Sequence, residues 1–306
     1  SWGWADGGTV ALADPAVEIR LKDLTGFDGR CDALFFTDDL SAAPPPDGGD
    51  ALRAWRAQRL GETETPASTS AHDLVVVGGG LAGTCAAIAA AERGLTVALV
   101  QDRPVLGGNG SAEIRVRTEG EKRHRIVSAV ANDAVNASSN AVAFVLRRMA
   151  EVAKYPNISL LTGWRAYGVA TNAARQLTAV DARQTDTGER RRFTAPLFVD
   201  ATGDAWLGFW AGAAYRMGRE AAAEHGESRA PATGDAMTMG NSLMWTSRDT
   251  GQPAAFPAVP WALPVAGSAA ETGGGWNWEY GMHLDTIYDA EAIRDHLLRA
   301  IYGTFY

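Results

Sequence analysis

Val75-Val76-Val77-Gly78-Gly79-Gly80-Leu81-Ala82-Gly83, continued by an alanine-rich run over residues 84–91, decides the fold of this chain. An apolar strand enters a glycine turn, a helix leaves it, and a second apolar strand, Thr96-Val97-Ala98-Leu99-Val100, follows at the expected distance. That context turns a G-x-G-x-x-G pattern into the signature of a dinucleotide-binding unit. Gly78 permits the tight turn, Gly80 lets backbone come close to a pyrophosphate, and Gly83 lets helix pack on strand, leaving the helix N-terminus to meet negative charge. A glycine turn in an ordinary βα unit is the plainer alternative, to which this context gives little weight.

Two further segments bear on which dinucleotide. After the second strand comes Gln101-Asp102-Arg103-Pro104-Val105-Leu106-Gly107-Gly108-Asn109-Gly110-Ser111-Ala112-Glu113-Ile114-Arg115, and much later Leu197-Phe198-Val199-Asp200 runs into Ala201-Thr202-Gly203-Asp204. On these segments the chain resembles the FAD-dependent oxidoreductases of the glutathione-reductase-like flavoprotein superfamily, and most of all the branch with a V-L-G-G-N-x-S-x-E-I-R segment, matched over residues 105–115. The likeness spans about residues 72–306 and speaks for FAD, not for any substrate. It implies FAD held by Gly78, Gly79, Gly80, Leu81, Ala82 and Gly83. It extends that set to Gln101, Asp102 and Arg103, to Gly107, Gly108, Asn109 and Ser111, to backbone at Arg165 or Ala166 beside the adenine, and to Ala201, Thr202, Gly203 and Asp204.

One position departs from the family pattern. The acidic residue that bonds the adenosine ribose falls at Gln101. A neutral amide still bonds a hydroxyl, though more weakly than a charged acceptor. Gln101 is therefore the expected ribose contact. Asp102 is second, open to the role only where the strand has ended, because successive side chains alternate faces. The superfamily's further Gly-Asp motif finds no match between Asp204 and Tyr306.

At 306 residues and 46% hydrophobic content the chain supports more than one core. A net charge of -8, with Arg190-Arg191-Arg192 as the best basic cluster, argues against a nucleic-acid partner. No apolar run has the length of a membrane helix and no leader opens the chain, so a soluble protein is expected, its compartment left open between cytoplasm and export. Cys31 and Cys85 make neither a C-x-x-C nor a metal cluster and read as buried packing residues; no metal is expected, and the disulfide-reductase branch is disfavoured. The sequons at Asn109, Asn136 and Asn157 read as chance.

The expected fold class is α/β. A Rossmann-like FAD/NAD(P)-binding domain with an inserted β-meander (72–212) is preceded by a partial, jelly-roll-like β-sandwich (1–40) and a linker (41–71), and followed by part of a substrate or cap domain (213–306). Short apolar or alternating stretches at 9–12, 17–21 and 33–37 suggest the sandwich strands, and residues 24–32 resemble the last strands of a carbohydrate-binding jelly roll. Trp2 and Trp4 are either core or sugar platforms, core being favoured. The linker is rich in Pro and Gly, with a short helix over 51–60. Apolar residues at Val142, Phe144 to Leu146, Met149 and Val152 give a helix within 136–154 whose apolar face is core. Stretches at 158–161, 166–170, 177–181 and 192–195 read as the meander. Trp245, Trp261, Trp276, Trp278 and Tyr280 mark the cap, where lid packing is favoured over ring-bearing substrates, and apolar spacing over 289–302 gives a final helix. The chain reads as an excerpt of a longer protein.

In flavin enzymes the cofactor accepts hydride while protein groups bind, orient and move a proton. Glu113, Arg115 and His124 follow the Gly107-Gly108 loop and are the candidate catalytic residues. Arg115 is preferred, as a cation facing flavin or substrate. Glu113 and Arg115, two apart, share a face if they lie on a strand and then act as structural supports, while His124 between Arg123 and Arg125 suits a surface role. The resulting expectation is an FAD-dependent oxidoreductase acting on a small organic substrate, a carbohydrate or alcohol, with an undefined electron acceptor. An NAD-dependent dehydrogenase and a non-catalytic carbohydrate-binding protein are the alternatives.

Overall fold

The computed structural model describes residues 3–22, 24, 29–131, 141–275 and 278–305. Trp2, residues 25–28 of the jelly-roll-like stretch, the Asn136 sequon with the start of the expected helix, and Trp276 lie outside the described residues. Two compact units divide the chain, Glu64–Ala236 and Ser1–Thr63 with Met237–Tyr306. In the latter, residues 9–12, 17–21 and 33–37 carry no strand. A strand persists only against partners that complete its ladder and cover one face, whereas here Val10, Leu12, Val17, Ile19 and Leu21 stay exposed. Helix α1 (Gly49–Leu60) does form, and Gly61 in the left-handed conformation (φ 64°) ends it.

The unit from Glu64 to Ala236 contains the expected span 72–212. It opens with β1 (Ser68–Ala71), β2 (Leu74–Val77), α2 (Leu81–Ala91) and β3 (Val97–Gln101), followed by α3 (Arg125–Ala131), α4 (Ala141–Val152) and β4 (Ile158–Thr162). Then come β5 (Trp164–Thr171), β6 (Leu177–Gln184), β7 (Arg190–Thr194), β8 (Leu197–Asp200), α5 (Trp206–Trp210) and α6 (Ala222–His225). One sheet is wholly parallel, in the order β4-β3-β2-β8, and the other runs β1-β7-β6-β5. In the second sheet only β1 and β7 are parallel.

Side-chain alternation explains why every residue of β2 and β3 is buried. Leu74, Val76, Val97 and Leu99 face a layer made by Ala87 and Ile88 of α2, Ile126 and Val130 of α3 and Val152 of α4. Val75, Val77, Ala98 and Val100 face Trp164, Val180 and Phe193 of the second sheet, together with Leu207. Each buried Val, Leu, Ile or Phe among them stabilises the fold by about 1.5–3 kcal/mol relative to exposure. Covering both faces leaves a three-layer sandwich of helices, parallel sheet and meander.

Two strand expectations change. The stretch at 158–161, read as the first strand of the meander, is β4 at the edge of the parallel sheet, with Ile158 opposite Val97. Conversely β1, read as linker, is the edge of the meander sheet, with Ser68 opposite Arg191. Apolar alternation marks a strand but not its partner. Helix α4 covers the expected positions, yet Val142 and Leu146 point outward while Val145 and Val152 are buried.

The other unit is completed by β9 (Asn241–Ser242), β10 (Trp245–Thr246), β11 (Gly274–Gly275), β12 (Glu279–Tyr280) and α7 (Ala290–Thr304). β10 pairs antiparallel with β11 and β9 with β12. α7 fulfils the expected final helix. Trp278 is half-buried and donates its indole N–H to Thr304 Oγ1 at 2.7 Å, whereas Trp4, expected in the core, is exposed, because the strands meant to cover it do not form, and it donates to Pro45 O at 2.7 Å beside Phe35.

Candidate functional site

Three segments meet at the C-terminal end of β2. Gly78 (φ 103°) carries the chain off the strand, and a Cβ there would overlap the carbonyl of Ala201. One on Gly83 would overlap the carbonyl of Gly78 and stand 3.0 Å from Ala201 Cβ. Ala201 N–H in turn donates to Val77 O at 2.8 Å, so the Ala201-Thr202-Gly203 segment lies against the glycine turn. Gly107 N–H donates to Gly79 O at 2.8 Å, and Gly80 and Gly107 form a parallel bridge, which brings in the second glycine loop. Gly78 and Gly83 are thus required by neighbouring backbone, and Gly107 by its φ of 121°.

Gly80 differs. A Cβ there would meet nothing within 4 Å, and its φ of -63° suits any residue. Gly80 is also the N-cap of α2, whose amino end has no side-chain cap. Open space beside an uncapped helix N-terminus, reached through backbone with no side chain, fits a pyrophosphate. The residues present fit FAD.

Gln101 does not face outward. It is 4% exposed; its Oε1 accepts the Gly79 N–H at 2.6 Å and its Nε2 donates to Val105 O at 3.1 Å. The expected ribose contact instead braces the two glycine loops from below. Because β3 ends at Gln101, Asp102 lies beyond the strand and is exposed. A cleft of about 230 Å³ opens here, lined by Gln101, Arg103, Val105, Gly108, Asn109 and Glu113 among others. A wider hollow of about 490 Å³, beside His72, Asn172 and Gln176, shares no residue with it, and Asn172 and Gln176 bond each other there.

Glu113 and Arg115 are not on a strand. Residues 108–110 make a single 3-10 turn, after which Arg115 N–H donates to Ser111 O and Val116 N–H to Asn109 O, both at 2.8 Å. Ser111 is buried, and its Oγ accepts the Glu113 N–H at 3.2 Å. Glu113 forms an ion pair with Arg103 Nε at 2.8 Å, which holds the Arg103 guanidinium above its ordinary range. Arg115 takes a left-handed backbone (φ 64°) and donates Nε to Ala112 O. His124 is exposed, its carbonyl accepting the Ser128 N–H at the start of α3. No described contact joins it to the glycine loops. Arg165 is exposed and Ala166 half-buried on β5, which begins next to Gly163, whose N–H donates to Arg103 O at 3.2 Å.

Two residues carry the site without a sequence expectation. Asp200 Oδ1 accepts from Thr202 N–H at 3.1 Å and Thr202 Oγ1–H at 2.7 Å, while Oδ2 accepts the N–H groups of Leu207 and Gly208 at 2.8 and 3.2 Å. This carboxylate fixes the segment from Thr202 to α5, beside which Gly203 and Asp204 are exposed. Arg148, on α4, is fully buried beneath the Gly107 loop. Its signal was a charge at a core position of the helix, three residues after Val145 and four before Val152.

The cysteines divide. Cys31 is exposed, against expectation, because the strands meant to cover it are absent; Cys85 is half-buried on α2, where burial pushes its thiol up. Glu220, Glu224 and His225 cluster at the surface, with Arg216 paired to both glutamates. Among the described residues no helix is long and apolar enough to cross a membrane.

A model of the family of FAD dependent oxidoreductases matches residues 73–291. Glycerol-3-phosphate dehydrogenase 2 of Mycobacterium tuberculosis is 41% identical over 71 residues, which cover 22% of this chain and 12% of that protein. NADH:fumarate oxidoreductase of Klebsiella pneumoniae is 34% identical over 102 residues, 33% of this chain and 11% of that protein. The chain therefore spans only a small part of the curated relatives it matches. Among solved structures, THI4 of Thermovibrio ammonificans overlaps with a TM-score of 0.36 at 20% identity, covering 54% of this chain and 76% of that one. The family match runs through the glycine turn, the 107–115 loop and the Ala201-Thr202-Gly203 segment, the three pieces the fold brings together, and the chain belongs to the FAD-dependent oxidoreductase family.

Proposed function

We propose that this chain is the FAD-binding part of an oxidoreductase that oxidises a small organic substrate, a carbohydrate or other alcohol. The observation that carries the reading is the open, side-chain-free face at Gly80, with the 107–111 loop and the Asp200-anchored segment packed around it. FAD, when bound, supplies an acceptor for hydride from a substrate carbon. The chain's own residues bind and orient it. Gly80, Leu81 and Ala82 present the N-terminus of α2 to the pyrophosphate. Asp102 and Arg103 take the ribose contact in place of Gln101, whose amide is committed to backbone.

Residues 72–212 are the FAD-binding domain in this reading, and 213–306 belong to the substrate or cap domain. Arg115 is the cation facing flavin or substrate, supported by its left-handed backbone within the loop, a costly conformation that clusters at functional sites. Glu113 serves through its pair with Arg103, and His124 is the weakest of the three candidates. The name of the mycobacterial relative, a glycerol-3-phosphate dehydrogenase, agrees with an alcohol donor.

The test is the visible absorption spectrum of the purified protein before and after heat release of any ligand. A flavin spectrum supports the reading and opens an anaerobic screen of sugars and alcohols for bleaching. A folded protein that stays colourless after incubation with FAD overturns it.

A further inference from the structure

A buried arginine packs against the Gly107 loop. Arg148 is 0% exposed; its Nε donates to Val130 O near the end of α3 at 2.9 Å, and its Nη1 donates to Gly110 O at 2.7 Å. The guanidinium lies directly against the loop backbone. A Cβ on Gly107 would stand 2.5 Å from Nη1 and 3.2 Å from Cζ, and one on Gly110 would stand 3.7 Å from Nη2. The contacts continue through the loop, since Gly107 N–H donates to Gly79 O and Gly107 bridges Gly80, the N-cap of α2. A cation thus packs against the loop whose backbone is bridged to Gly80.

We infer that Arg148 is a positioning residue for the pyrophosphate of FAD: it fixes the 107–110 loop against the glycine turn and supplies positive charge from beneath. This rests on the FAD reading of the Gly80 face. Burial pushes the Arg148 guanidinium down from its ordinary range, so its charged form is costly in the free protein and gains from an anion bound nearby. A buried charge is also poorly screened, so its field reaches across one layer of backbone better than that of a surface arginine. The two carbonyl acceptors hold the planar group in one orientation, which a lysine cannot reproduce although it keeps the charge.

The experiment compares FAD, ADP and adenosine as ligands of the 306-residue chain, wild type against Arg148→Met and Arg148→Lys, with thermal melts of each ligand-free protein alongside. ADP carries the pyrophosphate, whereas adenosine has none. Arg148→Met is expected to weaken FAD and ADP by at least about tenfold while adenosine changes by less than about twofold, and Arg148→Lys, which keeps the charge without the planar contacts, to recover only part of the loss for ADP. Equal weakening of all three ligands by Arg148→Met, or unchanged FAD and ADP binding, overturns the inference and leaves the FAD reading standing. Where Arg148→Met does not fold, Arg148→Lys decides alone: ADP weakened by at least about threefold more than adenosine supports the inference, and ADP and adenosine both unchanged or weakened in parallel overturns it. Wild-type protein that binds neither FAD nor ADP overturns the FAD reading itself.

Discussion

The side-chain amide of Gln101 holds Gly79 in place, Oε1 accepting its N–H at 2.6 Å while Nε2 reaches Val105 O at 3.1 Å. One neutral side chain at the end of β3 thereby satisfies a donor in the glycine turn and an acceptor in the following loop. A carboxylate would do only the first. Gln101→Leu leaves the buried Gly79 N–H and the half-buried Val105 carbonyl unpaired, so a loss of about 1–3 kcal/mol is expected, read as a lower urea midpoint of the ligand-free protein. Gln101→Glu is expected to fall between Leu and wild type, its second oxygen facing the Val105 carbonyl. A Leu variant as stable as wild type would remove Gln101 from this role.

The glycines separate into those the fold needs and one, Gly80, beside which the fold leaves open space. Gly83→Ala drives a methyl into the Gly78 carbonyl and is expected to cost about 2–3 kcal/mol of stability. Gly80→Ala meets no protein atom within 4 Å and should lose no more than about 1 kcal/mol, the cost of alanine at the N-cap of α2, but bind FAD at least about tenfold more weakly. Titrating both variants with FAD while recording melts checks the division. Undiminished flavin retention in Gly80→Ala would count against the assigned turn.

Arg115 and its backbone make separable contributions. A left-handed φ costs a residue with a Cβ roughly 1 kcal/mol or more, and glycine little. Arg115→Gly should therefore be more stable than Arg115→Ala by about 1 kcal/mol in chemical denaturation, while both lose turnover alike if the guanidinium faces flavin or substrate. Turnover that survives in either variant would end the proposed role.

Asp181 and Arg192 form a two-pronged pair across β6 and β7, Nε to Oδ1 and Nη2 to Oδ2 each at 2.7 Å, with Asp181 only 7% exposed. Asp181→Ala leaves a half-buried guanidinium without this carboxylate, and a loss of about 3 kcal/mol is expected. Because the pair belongs to the meander sheet, FAD affinity in the folded variant should stay within about twofold of wild type. Melting curves and a flavin titration of the same preparation separate the two.

Glu92, just past α2, accepts both Arg125 Nη atoms at 2.6 Å and the Tyr155 hydroxyl at 2.7 Å, tying the start of α3 and the approach to β4 to the end of α2. The bonds from Arg125 first, then Tyr155, hold its carboxyl down at about 2 against an ordinary 4.5. A depressed carboxylate contributes stability above its unfolded value and loses it as pH falls. Wild type should thus lose this contribution progressively between 4.5 and about 2, and Glu92→Gln should show a flatter acid limb in denaturation midpoints taken across that window. Superimposable pH profiles would show that the contact is not kept in solution.

The sequence by itself determined the strand, turn and helix around Gly78 to Gly83, because glycine spacing, a continuous apolar strand and an alanine-rich helix are local properties that admit one reading together. It also determined that the loop at Gly107 and the Ala201-Thr202-Gly203 segment belong with that turn, through their likeness to a known family. Only the tertiary structure decided which of these side chains are committed to the fold and which stay exposed. Gln101 and Asp102 are adjacent in sequence, yet the first is sealed beneath the turn and the second is exposed, since β3 ends between them. Arg148 lies 41 positions beyond Gly107 and reaches the loop only when α4 packs on the sheet's helical face, and β1 finds β7 across more than 100 residues. Periodicity reports which face of an element is apolar; what that face meets depends on long-range pairing, and so does the environment of every buried polar group.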